Sequence, residues 1–171
     1  MKSVLKLLAI AIPILCLDYV AKGMASFFLH PMQYSPVFPY GGVGIFHNFL
    51  GIDFCLNYVA NHGIAWGLFG EMPSLIVVCR ILIVLALIAY MILSPKSRPY
   101  QIPLTLIITG AIGNIVDFFL YGHVVDIFHF IFWGYSYPVF NIADASIFLG
   151  ICGMVLIPYF TKRPYAPITE N

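Results

Sequence analysis

Gly110–Asp144, GAIGNIVDFFLYGHVVDIFHFIFWGYSYPVFNIAD, is the stretch whose reading decides the fold. It sets three carboxylates, Asp117, Asp126 and Asp144, within segments otherwise apolar enough for a bilayer. An ionised carboxylate at the centre of a membrane helix costs about 2.5–3.5 kcal/mol even on lenient insertion scales, so a chain that keeps three has a use for them. Asp126 and Asp144 flank a short aromatic connection between two apolar runs. If those runs form antiparallel helices, the two carboxylates meet at one membrane face, and two carboxylates sharing a proton make an acid/base pair.

Composition places the whole chain in the membrane. Of its 171 residues 61% are hydrophobic and 9% charged, with a mean hydropathy of +0.96, against about 45–50% apolar and about 25% charged in a soluble domain. The net charge of +1 and the lack of a basic tract exclude nucleic acid and other polyanions as partners. Cys16, Cys55, Cys79 and Cys152 show neither a CxxC pair nor metal-ligand spacing; they read as small apolar filler without a structural disulfide.

Working outward, the N-terminus MKSVLKLLAIAIPILCLDYVAKG imitates a signal peptide, but its apolar run reaches Asp18 without an A-x-A pattern, and Leu15 is too bulky for a lipoprotein-type cut before Cys16. Residues 5–27 are therefore expected to remain as a first membrane helix. Asp18 and Lys22, four apart, share a helix face and can pair, either as a local bridge near the headgroups or as a prop for the acids. Residues 30–72 lose helical periodicity and gain Pro and Gly. The β-rich runs on both sides of Asn61-His62-Gly63 predict a hairpin or bent ribbon, with Tyr58, Trp66 and Phe69 suited to a bilayer surface. Runs at 73–93, 102–120 and 140–160 complete four spans of about 20 residues, each long enough for a core about 30 Å thick. The expected class is an all-α integral membrane protein: four helices, a small extracytoplasmic β-ribbon between the first two, and a single domain over 1–171.

Orientation follows from the cations. Lys2, Lys6, Lys96, Arg98, Lys162 and Arg163 fall in the three segments that four spans put on one side, and residues 28–72 and 121–139 contain no Lys or Arg. Both termini are expected in the cytoplasm and the acids at the opposite face.

Five blocks carry a resemblance: Leu17-Asp18-Tyr19-Val20-Ala21-Lys22, Asn61-His62-Gly63-Ile64-Ala65-Trp66, Gly113-Asn114-Ile115-Val116-Asp117, Gly122-His123-Val124-Val125-Asp126 and Phe140-Asn141-Ile142-Ala143-Asp144. In this order and topology the chain resembles lipoprotein signal peptidase, the type II signal peptidase of bacterial membranes. The resemblance implies Asp126 and Asp144 as the catalytic pair, Asn114 and Asn141 as polar groups of the site, Asp18 and Lys22 as supports, and the Asn61–Trp66 block, including Asn61 and Gly63, as ribbon over the substrate. It also implies the substrate, a prolipoprotein whose cysteine bears diacylglycerol, cut before that cysteine in the bacterial cell membrane, with membrane lipid as surroundings, no cofactor and a monomeric enzyme.

One position departs from the family. Arg commonly follows the aspartate of the Gly-Asn-x-x-Asp block, and Phe118 stands there instead. Arg80, within the second apolar run about 10 Å from its outer end, is the candidate to supply the lost contact; a snorkelling arginine is the alternative. Asp117 reads more readily as a brace between helix ends than as a catalyst. His123 and His129 lie near the acids without further ligands at metal spacing, so no metal is expected. Two other classes use such residues: a small transporter or proton relay lined by Asp18, Asp117, Asp126 and Asp144, and a non-catalytic assembly factor docking through the ribbon.

Overall fold

A computed structural model describes residues 2–32, 37–62 and 73–161. Four helices, α1 (Lys2–Phe28), α2 (Pro73–Leu93), α3 (Gln101–Tyr121) and α4 (Ile142–Thr161), contain the four apolar spans. A 3₁₀ turn over Pro95–Tyr100 joins α2 to α3. The boundaries follow the apolar runs closely because each run is bounded by a breaker. Gly122, at φ 77°, takes the left-handed position after α3 and donates its N–H to Phe118 O, the usual task of glycine at a helix C-terminus.

The strands depart from the expectation. A four-stranded antiparallel sheet has the order β1 (Val43–Phe49), β2 (Ile52–Asn61), β3 (Val124–Phe132) and β4 (Tyr135–Ser136). The all-α class is therefore too narrow. The connection between α3 and α4 is itself sheet, and β3 pairs with β2 from Ile52↔Phe132 to Asn61↔Val124. Val124-Val125-Asp126-Ile127-Phe128-His129-Phe130-Ile131-Phe132 is β-branched or aromatic at seven of nine positions, which favours a pleated, covered surface over a loop. A hairpin joins β1 to β2 at Leu50 and Gly51, with Gly51 at φ 81°, while the turn expected at Asn61-His62-Gly63 runs beyond the described residues. Gly63, Trp66 and Phe69 lie outside the described residues.

All strands leave from and return to one end of the bundle: the end of α1, the start of α2, the end of α3 and the start of α4. The central helix is α3, the most buried span, packed on α1, α2 and α4. Apolar side chains such as Leu82, Ile83, Phe148 and Leu149 face outward, where lipid supplies no hydrophobic drive and close packing by small residues holds helices together. Gly110 and Gly113 of α3 provide that contact. A Cβ at Gly110 would run into the Ala143 carbonyl, and one at Gly113 would meet Asp18 Oδ2 at 2.9 Å and Ala143 Cβ at 3.2 Å. The N-terminus of α4 is thus seated on bare α3 backbone.

Gly110→Ala is expected to push α4 outward, because a backbone carbonyl cannot step aside. Thermal unfolding in detergent should fall by about 2–10 °C, from an overpacking cost of about 1–3 kcal/mol. Gly23→Ala, where a Cβ meets nothing within 4 Å, should leave the unfolding temperature unchanged or slightly raised.

Candidate active site

The polar residues gather where α1, α3, β3 and the start of α4 meet. Lys22 is fully buried and its ammonium reaches three acceptors: Asp18 Oδ2 at 2.6 Å, Asp117 Oδ2 at 2.7 Å and Asn114 Oδ1 at 3.1 Å. An ammonium has three hydrogens, so this set satisfies it. The carboxylates extend the connection. Asp18 Oδ1 accepts the Ala143 N–H at 2.8 Å, and Asp117 Oδ2 accepts the Val125 N–H at 3.2 Å. The Asp18–Lys22 pair is therefore a prop that ties α1 to α3, to β3 and to the first turn of α4. Asp117 braces the same junction, as its sequence position suggested.

Asn141-Ile142-Ala143-Asp144 closes the first turn of α4 as a capping box. The Asp144 N–H donates to Asn141 Oδ1 at 2.8 Å, and the Asn141 N–H donates to Asp144 Oδ2 at 3.2 Å; the reciprocal pair satisfies helix-end donors. The same residues carry the link between the acids. Asn141 Nδ2 donates to Asp126 Oδ1 at 2.8 Å, Asn114 Nδ2 to Asp144 Oδ1 at 2.8 Å and Asn61 Nδ2 to Asp126 Oδ2 at 3.0 Å. Asn61 reaches across because β2 pairs with β3 in a register that sets Val59 opposite Asp126.

Asp126 and Asp144 line one cavity of about 430 Å³, together with Asn61, Asn114 and Arg80. Ile147, Phe148 and Ile151 form an apolar wall on the α4 side; their places three, four and seven residues beyond Asp144 put them on its helix face. That spacing was the available signal, and sequence reading passed over it. Phe118 is not among the lining residues; its ring packs edge-on against Phe119. Of the residues singled out from sequence, the structure brings together Asp18, Lys22, Asn61, Arg80, Asn114, Asp117, Asp126, Asn141 and Asp144, while Gly63 lies outside the described residues.

The histidines belong elsewhere. His123 Nε2 meets the Tyr58 hydroxyl at 2.8 Å. His129 is buried in the sheet, its Nδ1 meeting Asn57 Oδ1 at 3.0 Å and its Nε2 meeting Ser136 Oγ at 2.8 Å. Asn57 Nδ2 faces the carbonyls of Pro39 and Tyr40, so Oδ1 must accept, and His129 carries its proton on Nδ1. Burial pushes this imidazole down and the neighbouring Cys55 thiol up to about 11. Both are neutral packing groups.

Burial first, and then the charge of Asp144, push Asp126 up to about 7. The folded chain then binds this proton more tightly than the unfolded one, whose carboxyl titrates near 4. The stabilisation is complete below about pH 4, is lost as pH rises to about 7, and changes no further above that. Thermal unfolding in detergent from pH 4 to 8 should show this decline, and Asp126→Asn should flatten it.

The model of the signal peptidase (SPase) II family matches residues 10–160. The chain belongs to this family. A lipoprotein signal peptidase of Clostridium acetobutylicum is 40% identical over 109 residues, covering 63% of this chain and 69% of the relative. One from Chlamydia pneumoniae is 37% identical over 119 residues, covering 68% and 71%. A crystallised bacterial membrane enzyme superposes with a TM-score of 0.77 over 96% of this chain and 94% of its own at 23% identity, a likeness of fold. As a signal peptidase II family member the chain is a multi-pass membrane peptidase.

Proposed function

We propose that the chain is an aspartic endopeptidase that removes the signal peptide from diacylglyceryl-modified prolipoproteins by cutting before the lipidated cysteine, with Asp126 and Asp144 as a coupled dyad. One observation carries the reading: two carboxylates, Asp126 buried and Asp144 half-buried, share a cavity and are joined through a single asparagine, Asn141. Such a pair holds one proton between two acids, so one member takes a proton from water while the other supplies one. Asp18, Asp117, Asp126 and Asp144 belong to one hydrogen-bonded cluster at one end of the bundle, which favours hydrolysis over a pathway stepping across the membrane.

The cation pattern supports an orientation with both termini in the cytoplasm and the cavity near the extracytoplasmic face. At that depth the diacylglyceryl chains remain in lipid while the scissile bond reaches the dyad. The ribbon covers it, and Asn61 is the ribbon residue that touches an acid. Purified protein in detergent should cleave a diacylglyceryl-prolipoprotein before the modified cysteine, read by mass spectrometry, and leave the unmodified precursor intact. Cleavage of both forms at equal rates would overturn the substrate assignment.

Arg80 takes the place of the arginine absent at Phe118, because it lines the same cavity as the two acids. It would hold polar oxygens of the lipidated substrate. Arg80→Gln is expected to raise KM about 10–100-fold, the loss of a charged hydrogen bond worth about 1.5–3 kcal/mol, with a smaller effect on kcat. Unchanged processing by this variant would remove Arg80 from the site.

A further inference from the structure

The two acids sit in unlike surroundings, and the difference traces to Lys22. An ammonium can only donate, so the face of Asn114 toward Lys22 must be its oxygen, Oδ1, which also accepts Asn141 Nδ2 at 3.2 Å. The amide cannot turn round, and Nδ2 is committed to Asp144 Oδ1. The other oxygen of Asp144 faces the Asn141 backbone N–H, which is also only a donor. Both oxygens of Asp144 therefore meet fixed donors, and the residue lies in the first turn of α4, where aligned peptide dipoles favour a negative charge. Asp126 lies mid-strand in β3 without a helix end behind it. Both of its partners are side-chain amides, Asn141 Nδ2 on Oδ1 and Asn61 Nδ2 on Oδ2, and neither is a backbone N–H.

We propose that Lys22, acting through Asn114, fixes Asp144 as the ionised member of the pair that takes the proton from water, and leaves the shared proton on Asp126. This rests on the dyad reading and deepens it. The carboxylate of Asp144 removes a proton from water as the water oxygen bonds to the scissile carbonyl carbon, and Asp126 gives its proton to the carbonyl oxygen. The gem-diol then returns a proton to Asp126. The C–N bond breaks, and Asp144 passes its proton to the leaving amine, which restores the starting state of both acids. Lys22 and Asn114 are positioning residues, since neither needs to touch the substrate. The position of Asp126, pushed up to about 7, accords with a proton resting there. Among the described residues the charged groups around the pair are Asp18 and Lys22 on α1, Arg80 on α2 and Asp117 on α3.

Unlike surroundings predict unlike tolerance of an amide, independently of activity. Asn is an isostere of protonated Asp, so Asp126→Asn at pH 7 should keep or raise the unfolding temperature in detergent. Asp144→Asn must point an NH₂ group at a fixed donor and should lower it by about 2–10 °C. Equal shifts, or the reverse order, would overturn the assignment. A second reading uses pH. Asn114→Ala, which removes the fixed donor, should move the acidic limb of the kcat/KM profile upward by about one pH unit, a roughly tenfold loss below the limb and little above it. A uniform loss at every pH would reduce Asn114 to a structural role and overturn the relay. Cleavage by both Asp→Asn variants would instead remove the dyad itself, a failure separable from either of these.

Discussion

Asp126→Asn and Asp144→Asn are each expected to lower kcat/KM for a diacylglyceryl-prolipoprotein by at least about 10³-fold, and the double variant by little more. General acid and general base each contribute about 10²–10⁴-fold, and a pair that transfers protons in sequence loses its function with either member, so the effects are not additive. The loss should fall on the chemical step, because the contacts that surround the acids survive: Asn141 can still donate to an amide oxygen at position 126, and the apolar wall of Ile147, Phe148 and Ile151 is untouched. Single-turnover cleavage with saturating enzyme separates the two contributions. An unchanged apparent affinity with a rate near background is the expected outcome. Residual cleavage within tenfold of wild type in either variant would show that the carboxylate there is not part of the reaction. Asp117→Asn serves as the contrast: its carboxylate touches Lys22 and the Val125 N–H rather than the cavity, so it should cost stability more than it alters the chemical step.

The four spans were legible because membrane helices announce themselves: a run of about 20 apolar residues bounded by polar or breaker residues has few other readings. The pair Asp126 and Asp144 was legible for a related reason, since carboxylates in apolar surroundings need an explanation. The sheet was less so. In Val124–Phe132 apolar residues fill both faces of the strand, broken only by Asp126 and His129, so the period of two that marks a half-exposed strand is absent. The turn between β1 and β2 was passed over because it has one glycine and a leucine at φ 54°, a residue that carries no turn signal. Individual hydrogen bonds were beyond reach. The spacing of Asp18 and Lys22 suggests their pairing, but the reach of Asp18 to the Ala143 N–H spans 125 positions. It depends on the seat that Gly110 and Gly113 leave for α4, which only packing reveals.

That seat makes Lys22 the residue whose loss should be felt most widely. Lys22→Met removes the cation that, among the described residues, lies within hydrogen-bonding distance of both Asp18 and Asp117, which are themselves buried. Removing one partner of a buried ion pair costs about 3–5 kcal/mol because the remaining charge stays in a poor solvent, so the unfolding temperature in detergent should fall by about 6–20 °C for a chain of this length. Part of the cost can be returned without the charge. Lys22→Met combined with Asp18→Asn and Asp117→Asn leaves no buried ion at the junction, and replacing a whole buried ionic set by neutral groups is often neutral or stabilising. The triple variant should recover much of the lost unfolding temperature. It should not recover cleavage, because the ammonium that holds Asn114 Oδ1 toward α1 is gone and the longer 3.2 Å bond from Asn141 Nδ2 is left to orient the amide toward Asp144. Unfolding curves and cleavage rates measured on the same preparations separate these two functions of Lys22. A Lys22→Met protein that unfolds within about 2 °C of wild type would mean that the junction does not depend on its charge, and a triple variant that cleaves at the wild-type rate would mean that the ammonium has no part in orienting the site.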